Sequence, residues 1–269
     1  MFEIEGKVAL VTGGASGIGQ AHVIELLNNG VKGVTIADIN VELGTKLLKE
    51  LQSQFGKEKV IFVQLDVSNR KQFEECFEKT IEKFNNVDIL INNAGIANDK
   101  EFEKMVSVNI NGTINGTLLA IQNYIHKYKS GPEGVIVNVS STAGLDPNEL
   151  LPLYGATKSA VIGLTRSFGT QLHYDMNKVR IFVICPGFTD TAILNLEENI
   201  MNELYLIKYK KYTSVFAPQP ASDVAKNSMK LITTAEQGSV WLLEEHQAPR
   251  EVKLDLQTEY IKTVRKLKL

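Results

Sequence analysis

The stretch KVALVTGGASGIG, residues 7–19, decides the fold. An apolar β-branched run leads into glycines, and QAHVIELLNNG at 20–30 then repeats apolar residues at helical spacing up to an Asn-Asn-Gly stop. The pattern predicts a strand, a tight turn and a helix. Gly13, Gly17 and Gly19 have the G-x-x-x-G-x-G spacing that lets a pyrophosphate approach the N-terminus of a helix. A turn without a ligand is the alternative, but the strand–turn–helix context favours phosphate binding.

Strands and helices alternate along most of the chain. Further predicted strands are GVTIADI at 33–39, KVIFVQLDV at 59–67, VDILINNAG at 87–95, GVIVNVSS at 134–141, KVRIFVICPG at 178–187 and GSVWLLEE at 238–245. Residues 41–56 and 70–86 show helical periodicity. Such alternation predicts an α/β fold with a doubly wound, mostly parallel, Rossmann-like sheet and helices on both faces.

The same pattern predicts one domain over residues 1–269. Its regularity weakens after Pro186, which indicates a mobile, substrate-side insertion at about 190–220 with a helical part at 201–212. The basic stretch at 257–269 fits either a helix or a disordered tail.

Composition excludes several classes of protein. The chain has 269 residues, 43% of them apolar, and a net charge of −2, so no basic field indicates nucleic acid or an anionic membrane. No apolar run reaches the ~18 residues of a membrane span. The start of the chain is typical of a strand and not of a signal peptide.

Cys76 and Cys185 are expected to be buried thiols, which favours the cytoplasm. The four histidines are dispersed along the chain, which predicts no metal site.

Acidic and small residues follow three of the strands. Asp38 stands where an acid accepts hydrogen bonds from an adenosine ribose and repels a 2′-phosphate; no arginine is near, so NAD is preferred over NADP. An N-cap is the alternative role for Asp38. Asp66 is expected at the adenine edge. Asn93, Ala94 and Gly95 are expected where flat rings lie close to the backbone.

The segment YGATK at 154–158 places a phenol and an ammonium four residues apart. On a helix, Tyr154 and Lys158 share one face. A solvated pair on a surface helix is the alternative, but the glycine turn and Asp38 favour an active site. A phenol titrates near ~10, and a neighbouring cation stabilises its ionised form.

These motifs resemble, in order and spacing, the short-chain dehydrogenase/reductase family. TGGASGIG, Asp38, NNAG, a serine after the fifth strand, YGATK and CPG carry the resemblance over roughly residues 5–190. Within the family, the sequence most resembles the NAD-dependent 15-hydroxyprostaglandin dehydrogenase branch, with insect-type alcohol dehydrogenases as a related possibility.

The resemblance implies roles for individual residues. Tyr154 is the base, Lys158 supports it and binds the nicotinamide ribose, and Ser141, thirteen residues before the tyrosine, orients the substrate oxygen. Asn109 holds a water that leads protons out. The expected NAD-binding residues are Gly13, Ser16, Gly17, Ile18, Gly19, Asp38, Ile39, Asp66, Val67, Asn93, Ala94, Gly95, Tyr154, Lys158, Pro186, Gly187, Phe188, Thr189 and Thr191.

The expected substrate residues are Ser141, Leu151, Tyr154 and Phe188. The pocket walls are expected to be apolar, formed by Leu145, Leu150, Leu151, Leu153, Phe188, Ile193 and Leu194. The related prostaglandin enzymes carry a glutamine where this chain has Leu151. An apolar side chain there leaves farnesol-like, steroid, retinoid and small secondary alcohols open as substrates.

The sequence thus predicts an NAD-dependent dehydrogenase that oxidises a hydrophobic, lipid-like or terpenoid secondary alcohol, or reduces the ketone. A non-catalytic NAD(H)-binding sensor or scaffold is the alternative, and a nucleotide-sugar epimerase is a third hypothesis that the short C-terminal part disfavours. The resemblance to a family whose members commonly form oligomers implies a homo-oligomer, a dimer or a tetramer. The small residues near 110–125 and 154–172 suit close packing of helices between subunits.

Overall fold

The computed structural model describes residues 2–194, 196–197, 199–214, 217–244 and 247–254. The basic stretch predicted at 257–269 lies outside the described residues. No helix in the described ranges is long and apolar enough to cross a bilayer.

One sheet of eight strands organises these residues, in the order β3-β2-β1-β4-β5-β6-β7-β8. The strands are β1 Val8–Thr12, β2 Gly33–Asp38, β3 Val60–Gln64, β4 Ile89–Asn92, β5 Gly134–Val139, β6 Val179–Pro186, β7 Val240–Leu243 and β8 Arg250–Glu251. The first seven are parallel, and β8 is antiparallel to β7. The predicted doubly wound sheet is confirmed.

The helices cover both faces of the sheet. They are α1 Gly17–Asn28, α2 Val41–Phe55, α3 Arg70–Phe84, α4 Phe102–Val106, α5 Thr113–Gln122, α6 Ile125–Tyr128, α7 Pro152–Phe168, α8 Gln171–Asn177, α9 Glu203–Thr213 and α10 Ala221–Thr234. A π-helical segment, Ser107–Gly112, joins α4 to α5. The helix predicted within the insertion is α9, whereas the mobility of the insertion stays a prediction.

The strands are buried on both sides because each face of the sheet carries its own apolar cluster. In β1, Ala9 and Val11 point to the cluster that contains α1 and α2, and Leu10 points to the cluster beneath α3 and α5. Alternation of side chains along a strand produces this division. Cys76 and Cys185 are buried free thiols, as predicted.

A crevice is expected at the carboxyl ends of β1 and β4, because β1 lies between β2 and β4 in the sheet. Because the strand order reverses there, the chains leaving β1 and β4 diverge, and ligands of such sheets bind at this point beyond the carboxyl ends of the strands.

Candidate active site

The glycine turn packs against the loop that follows β4. Gly13 (φ +61°) and Gly17 (φ +54°) have left-handed backbone conformations that favour glycine. A Cβ atom on Gly13 would lie 2.9 Å from Cα of Ala94, and one on Gly17 would lie 3.1 Å from Cγ2 of Thr191. Ser16 precedes α1 without capping it through its side chain, which leaves the N–H groups of the first turn to an outside acceptor. An anion fits this helix end.

Asp38 ends β2 and holds the glycine turn from the other side. Its Oδ2 accepts a hydrogen bond from the N–H of Ala15 (3.0 Å), and its Oδ1 accepts one from the N–H of Asn40 (2.9 Å). The N-cap of α2 is Asn40, which accepts from the N–H of Leu43, so the alternative of a capping role for Asp38 is wrong. The carboxylate therefore stands at the cavity edge.

A cavity of about 1010 Å³ runs along the carboxyl ends of the strands. All but two of the predicted site residues line it: Gly13, Ser16, Gly17, Ile18, Asp38, Ile39, Asp66, Val67, Asn93, Ala94, Gly95, Ser141, Leu151, Tyr154, Lys158, Pro186, Gly187, Phe188, Thr189 and Thr191. The two residues outside this lining are Gly19 and Asn109. A Cβ atom on Gly19 would lie 2.0 Å from the carbonyl oxygen of Gly13, so this glycine lets α1 approach the turn.

Backbone and side-chain contacts fix the far end of the cavity after β6. Thr189 donates to the carbonyl oxygen of Gly187 (2.8 Å) and accepts from Nε2 of Gln219 (3.2 Å). Gln219 also donates to the carbonyl oxygen of Leu243 (2.9 Å), which ties this loop to β7. The ledge formed by residues 186–191 therefore has a defined conformation opposite the glycine turn.

Tyr154 and Lys158 lie one turn apart on α7 and face the cavity together. The ammonium is 5.6 Å from the centre of the Tyr154 ring and donates to the carbonyl oxygen of Val139 (3.1 Å). The side chain of Ser141, which follows β5, lines the same cavity and lies near enough to the Tyr154 phenol to act on its pKa by hydrogen bonding. The hydroxyl of the adjacent Ser140 instead donates to the carbonyl oxygen of Lys158 (2.8 Å), which distinguishes the two serines by geometry.

Burial sets the protonation states of this pair. It raises the pKa of Tyr154 to about 12, and the hydrogen bond from Ser141 opposes that rise. It lowers the pKa of Lys158 to about 8, a change opposed by Cys185. At neutral pH the pair is therefore a phenol beside an ammonium. The ammonium alone does not make Tyr154 a base, because desolvation of the phenolate dominates.

Asn109 lies in the π-helical segment, where all its amide atoms have partners. Its Oδ1 accepts from the N–H of Ile96 (2.9 Å), and its Nδ2 donates to the carbonyl oxygen of Ile96 (2.9 Å) and to Oγ1 of Thr157 (3.0 Å). This side chain joins the loop after β4 to α7. The predicted water-holding role stays a prediction.

Apolar side chains close the end of the cavity nearest Tyr154. Leu151, only 5% exposed, packs with Ala97, Leu196, Ile200 and Tyr209. Most of the predicted walls line the cavity, namely Leu150, Leu151, Phe188, Ile193 and Leu194. Two of the predicted wall residues do not line the cavity. Leu145 packs against a buried cluster that includes Val161 of α7 and Val183 of β6, and Leu153 is 37% exposed.

Sequence reasoning missed several residues of the site. Tyr209 of α9 is 8% exposed and donates to the carbonyl oxygen of Leu194 (2.6 Å), which holds α9 over the cavity. Asp99 is 2% exposed and binds the first turn of α7. No local motif marks either residue, since each meets its partner only through tertiary packing.

Comparisons with known proteins agree with this geometry. The family model for short chain dehydrogenases matches residues 7–200. The chain is 44% identical to 15-hydroxyprostaglandin dehydrogenase [NAD(+)] of Mus musculus over 209 residues, which cover 78% of this chain and 77% of that enzyme. It is 41% identical to the Homo sapiens enzyme of the same name, over 78% of this chain and 79% of that enzyme.

A solved structure extends the likeness to the fold. The chain superposes on a short chain dehydrogenase/reductase from Burkholderia phymatum in complex with NAD with a TM-score of 0.78, at 26% identity, over 91% of each chain. The resemblance to the 15-hydroxyprostaglandin dehydrogenase branch is thus confirmed. This chain belongs to the short-chain dehydrogenase family.

Proposed function

We propose that this chain is an NAD-dependent dehydrogenase that oxidises a hydrophobic secondary alcohol to a ketone. The observation that carries the proposal is the meeting of Ser141, Tyr154 and Lys158 in the cavity that begins at the glycine turn. The similar enzymes from Mus musculus and Homo sapiens are named as NAD(+)-dependent 15-hydroxyprostaglandin dehydrogenases, which supports both the cofactor and the reaction class.

The residues present fit NAD. The tight turn through Gly13 and Gly17 leads into the N-terminus of α1, which has no side-chain cap and suits a pyrophosphate. The carboxylate of Asp38 suits the ribose hydroxyls of NAD and repels the 2′-phosphate of NADP. When bound, NAD supplies the hydride acceptor and a positive charge beside the phenol.

Residues of the chain itself accept the proton that the alcohol releases and stabilise the charge that results. Tyr154 takes the hydroxyl proton of the alcohol, the buried Lys158 ammonium stabilises the resulting phenolate, and Ser141 holds the substrate oxygen by a hydrogen bond. Because burial keeps the pKa of Tyr154 at about 12 without added positive charge, the tyrosine ionises readily only in the assembled site.

The apolar end of the cavity favours a lipid-like or terpenoid alcohol. Leu151 offers no hydrogen bond to a substrate hydroxyl, and its neighbours Ala97, Leu196 and Ile200 are equally apolar. The prostaglandin substrate named for the relatives is one candidate within this class. The cytoplasmic location and the homo-oligomer stay predictions.

Initial rates test the proposal. They are measured with NAD and with NADP over a panel of apolar secondary alcohols and 15-hydroxyprostaglandins, for the wild type and Tyr154→Phe. We expect NAD-dependent turnover, and a loss of at least about 100-fold in the variant, because general acid–base groups contribute ~10²–10⁴-fold. NADH binding, followed by fluorescence, is expected to survive the substitution.

The rival hypotheses predict other outcomes. A non-catalytic sensor binds NADH tightly and turns over no alcohol on the panel, and the intact set of Ser141, Tyr154 and Lys158 weighs against it. An epimerase converts a nucleotide sugar without net reduction of NAD. A preference for NADP would contradict the role given to Asp38.

A further inference from the structure

The helix that carries Tyr154 begins without a cap of its own. Leu151 precedes α7 and makes no side-chain cap, and Pro152 at the first position has no N–H. The first N–H groups of the helix are therefore those of Leu153 and Tyr154, and the next, of Gly155, donates to the carbonyl oxygen of Leu151 (2.9 Å). Helix ends need an acceptor for such groups.

Asp99, more than 50 residues earlier in the chain, supplies both acceptors. Its Oδ2 accepts from the N–H of Leu153 (2.9 Å), and its Oδ1 accepts from the N–H of Tyr154 (2.9 Å). The residue is 2% exposed, so water competes little for the carboxylate. Charge-assisted bonds at a helix N-terminus are stronger than bonds between neutral groups.

The loop that carries Asp99 is itself fixed to the floor of the cavity. Ile96 is bound through both its N–H and its carbonyl oxygen by Asn109, which also reaches Thr157 on α7. A Cβ atom on Gly95 would lie 3.2 Å from Nζ of Lys158. The segment between β4 and Asp99 therefore follows the active-site face of α7 from Lys158 to Tyr154.

We propose that Asp99 is a positioning residue for the dehydrogenase reaction, because it fixes the first turn of α7 and with it the phenol of Tyr154. The inference rests on the proposed function. Tyr154 must stay within hydrogen-bond reach of Ser141 and of the substrate hydroxyl. A displacement of about 1 Å at a reacting group costs about 100-fold in rate, so an unfixed first turn lowers turnover even in a folded protein.

Two variants at Asp99 test the inference. Asp99→Asn keeps the size but turns an amide N–H toward one helix N–H, and Asp99→Ala removes both acceptors. We expect kcat at saturating NAD to fall about 10- to 100-fold, while the Kd for NADH stays within about twofold of the wild type. In the cofactor-free protein, the amides of Leu153 and Tyr154 should exchange hydrogen at least about tenfold faster.

Asn69→Ala provides the matched control. Asn69 caps α3 by accepting from the N–H of Gln72 (3.2 Å), so its loss is the same type of helix-end defect away from Tyr154. We expect the control to lower the Tm like the Asp99 variants and to leave kcat unchanged. Asp99 variants whose kcat equals that of the control would overturn the inference, as would unchanged exchange at Leu153 and Tyr154. A wild type that turns over no alcohol would instead overturn the proposed function, and the exchange measurement would still decide whether Asp99 fixes the turn.

Discussion

At the scale of one residue, we expect Leu151 to influence the choice of substrate. It is 5% exposed and surrounded by apolar side chains, at a position where the resemblance to the prostaglandin enzymes implies a glutamine. A buried amide without a partner costs about 1–3 kcal/mol, whereas a substrate hydroxyl able to bond to it recovers that cost. The wild-type pocket should therefore favour substrates that are apolar around the reacting carbon.

We expect Leu151→Gln to shift the ratio of kcat/KM for a 15-hydroxyprostaglandin over that for an apolar secondary alcohol by about tenfold toward the prostaglandin. The measurement is the same pair of substrates on both proteins. Leu151→Met, which keeps the pocket apolar, is the control and should leave the ratio unchanged. An equal ratio for the Gln and Met variants would show that Leu151 does not contact the substrate near its hydroxyl.

We expect Asp38 to set the choice between NAD and NADP. Its carboxylate lies at the cavity edge and would face a 2′-phosphate as a like charge, a contact that costs several kcal/mol. We expect Asp38→Asn, which keeps the size and an acceptor for the N–H of Ala15, to reduce the preference for NAD by at least about tenfold in kcat/KM. An undiminished preference for NAD would place the discrimination elsewhere.

Tyr154, Lys158 and Asp38 could be predicted from the sequence because short motifs fix their local geometry. A helix places residues i and i+4 on one face, and the end of a strand places Asp38 at the sheet edge. Asp99 and Tyr209 could not, since their partners lie on other elements. Nor could the sequence show that burial, and not the ammonium, dominates the pKa of Tyr154.

At the scale of elements, the packing of α1 against α10 buries a histidine. Ser228 donates to the carbonyl oxygen of Val224 (2.8 Å), so the bond of 2.9 Å between Nε2 of His22 and Oγ of Ser228 has the histidine as its donor. Nδ1 is then an acceptor, and it has no partner among the described residues. Burial lowers the pKa of His22 to about 4.

We expect this histidine to make the fold sensitive to acid. Because the pKa of His22 is about 4 in the folded chain against about 6.5 for a solvent-exposed histidine, the unfolded chain binds more protons between these pH values. The contribution of His22 to stability should therefore be complete above about pH 6.5 and be lost, by about 3 kcal/mol, as the pH falls from there through 4. We expect His22→Gln, which keeps a donor but cannot titrate, to flatten the fall in the free energy of unfolding measured by urea denaturation.

His173→Gln, at a less buried site, is the control for removing a histidine and should retain the wild-type fall. The wild type and both variants contain the same carboxylates, which titrate in the same pH range. Only the difference between these proteins in how the free energy of unfolding depends on pH therefore reports on His22. A fall in His22→Gln as steep as in the wild type would assign the acid sensitivity to those carboxylates.

The order of elements was predictable from the sequence, but some of their contacts were not. The helical periodicity of residues 70–86 correctly predicted α3, in which Phe73, Phe77 and Phe84 pack inward. Periodicity also predicted α2, but it did not show which apolar residues are buried, since Leu43 is 41% exposed. The short β8 was missed because two residues form a strand only by pairing with β7.

At the scale of the whole molecule, the doubly wound sheet leaves one face of α5 and α7 outside. Partly buried Ile110, Ile114, Ala160 and Leu164, with the buried Val161, line an apolar surface depression of about 260 Å³ there. A Cβ atom on the neighbouring Gly163 would meet no atom within 4 Å. Small and apolar residues on two adjacent helices allow the close approach of a second helix pair.

We expect this face to form the contact between two copies of the chain. Leu164→Glu places a charge in the depression, and burying that charge without a partner opposes association. By light scattering, the variant should therefore have the mass of a monomer, whereas the wild type should have at least twice that mass. Leu172→Glu is the control, because Leu172 is 57% exposed on α8, outside the depression. It should leave the mass unchanged. A wild-type mass equal to that of one chain would contradict the homo-oligomer, and a Leu164→Glu protein that stays oligomeric would move the contact to another face.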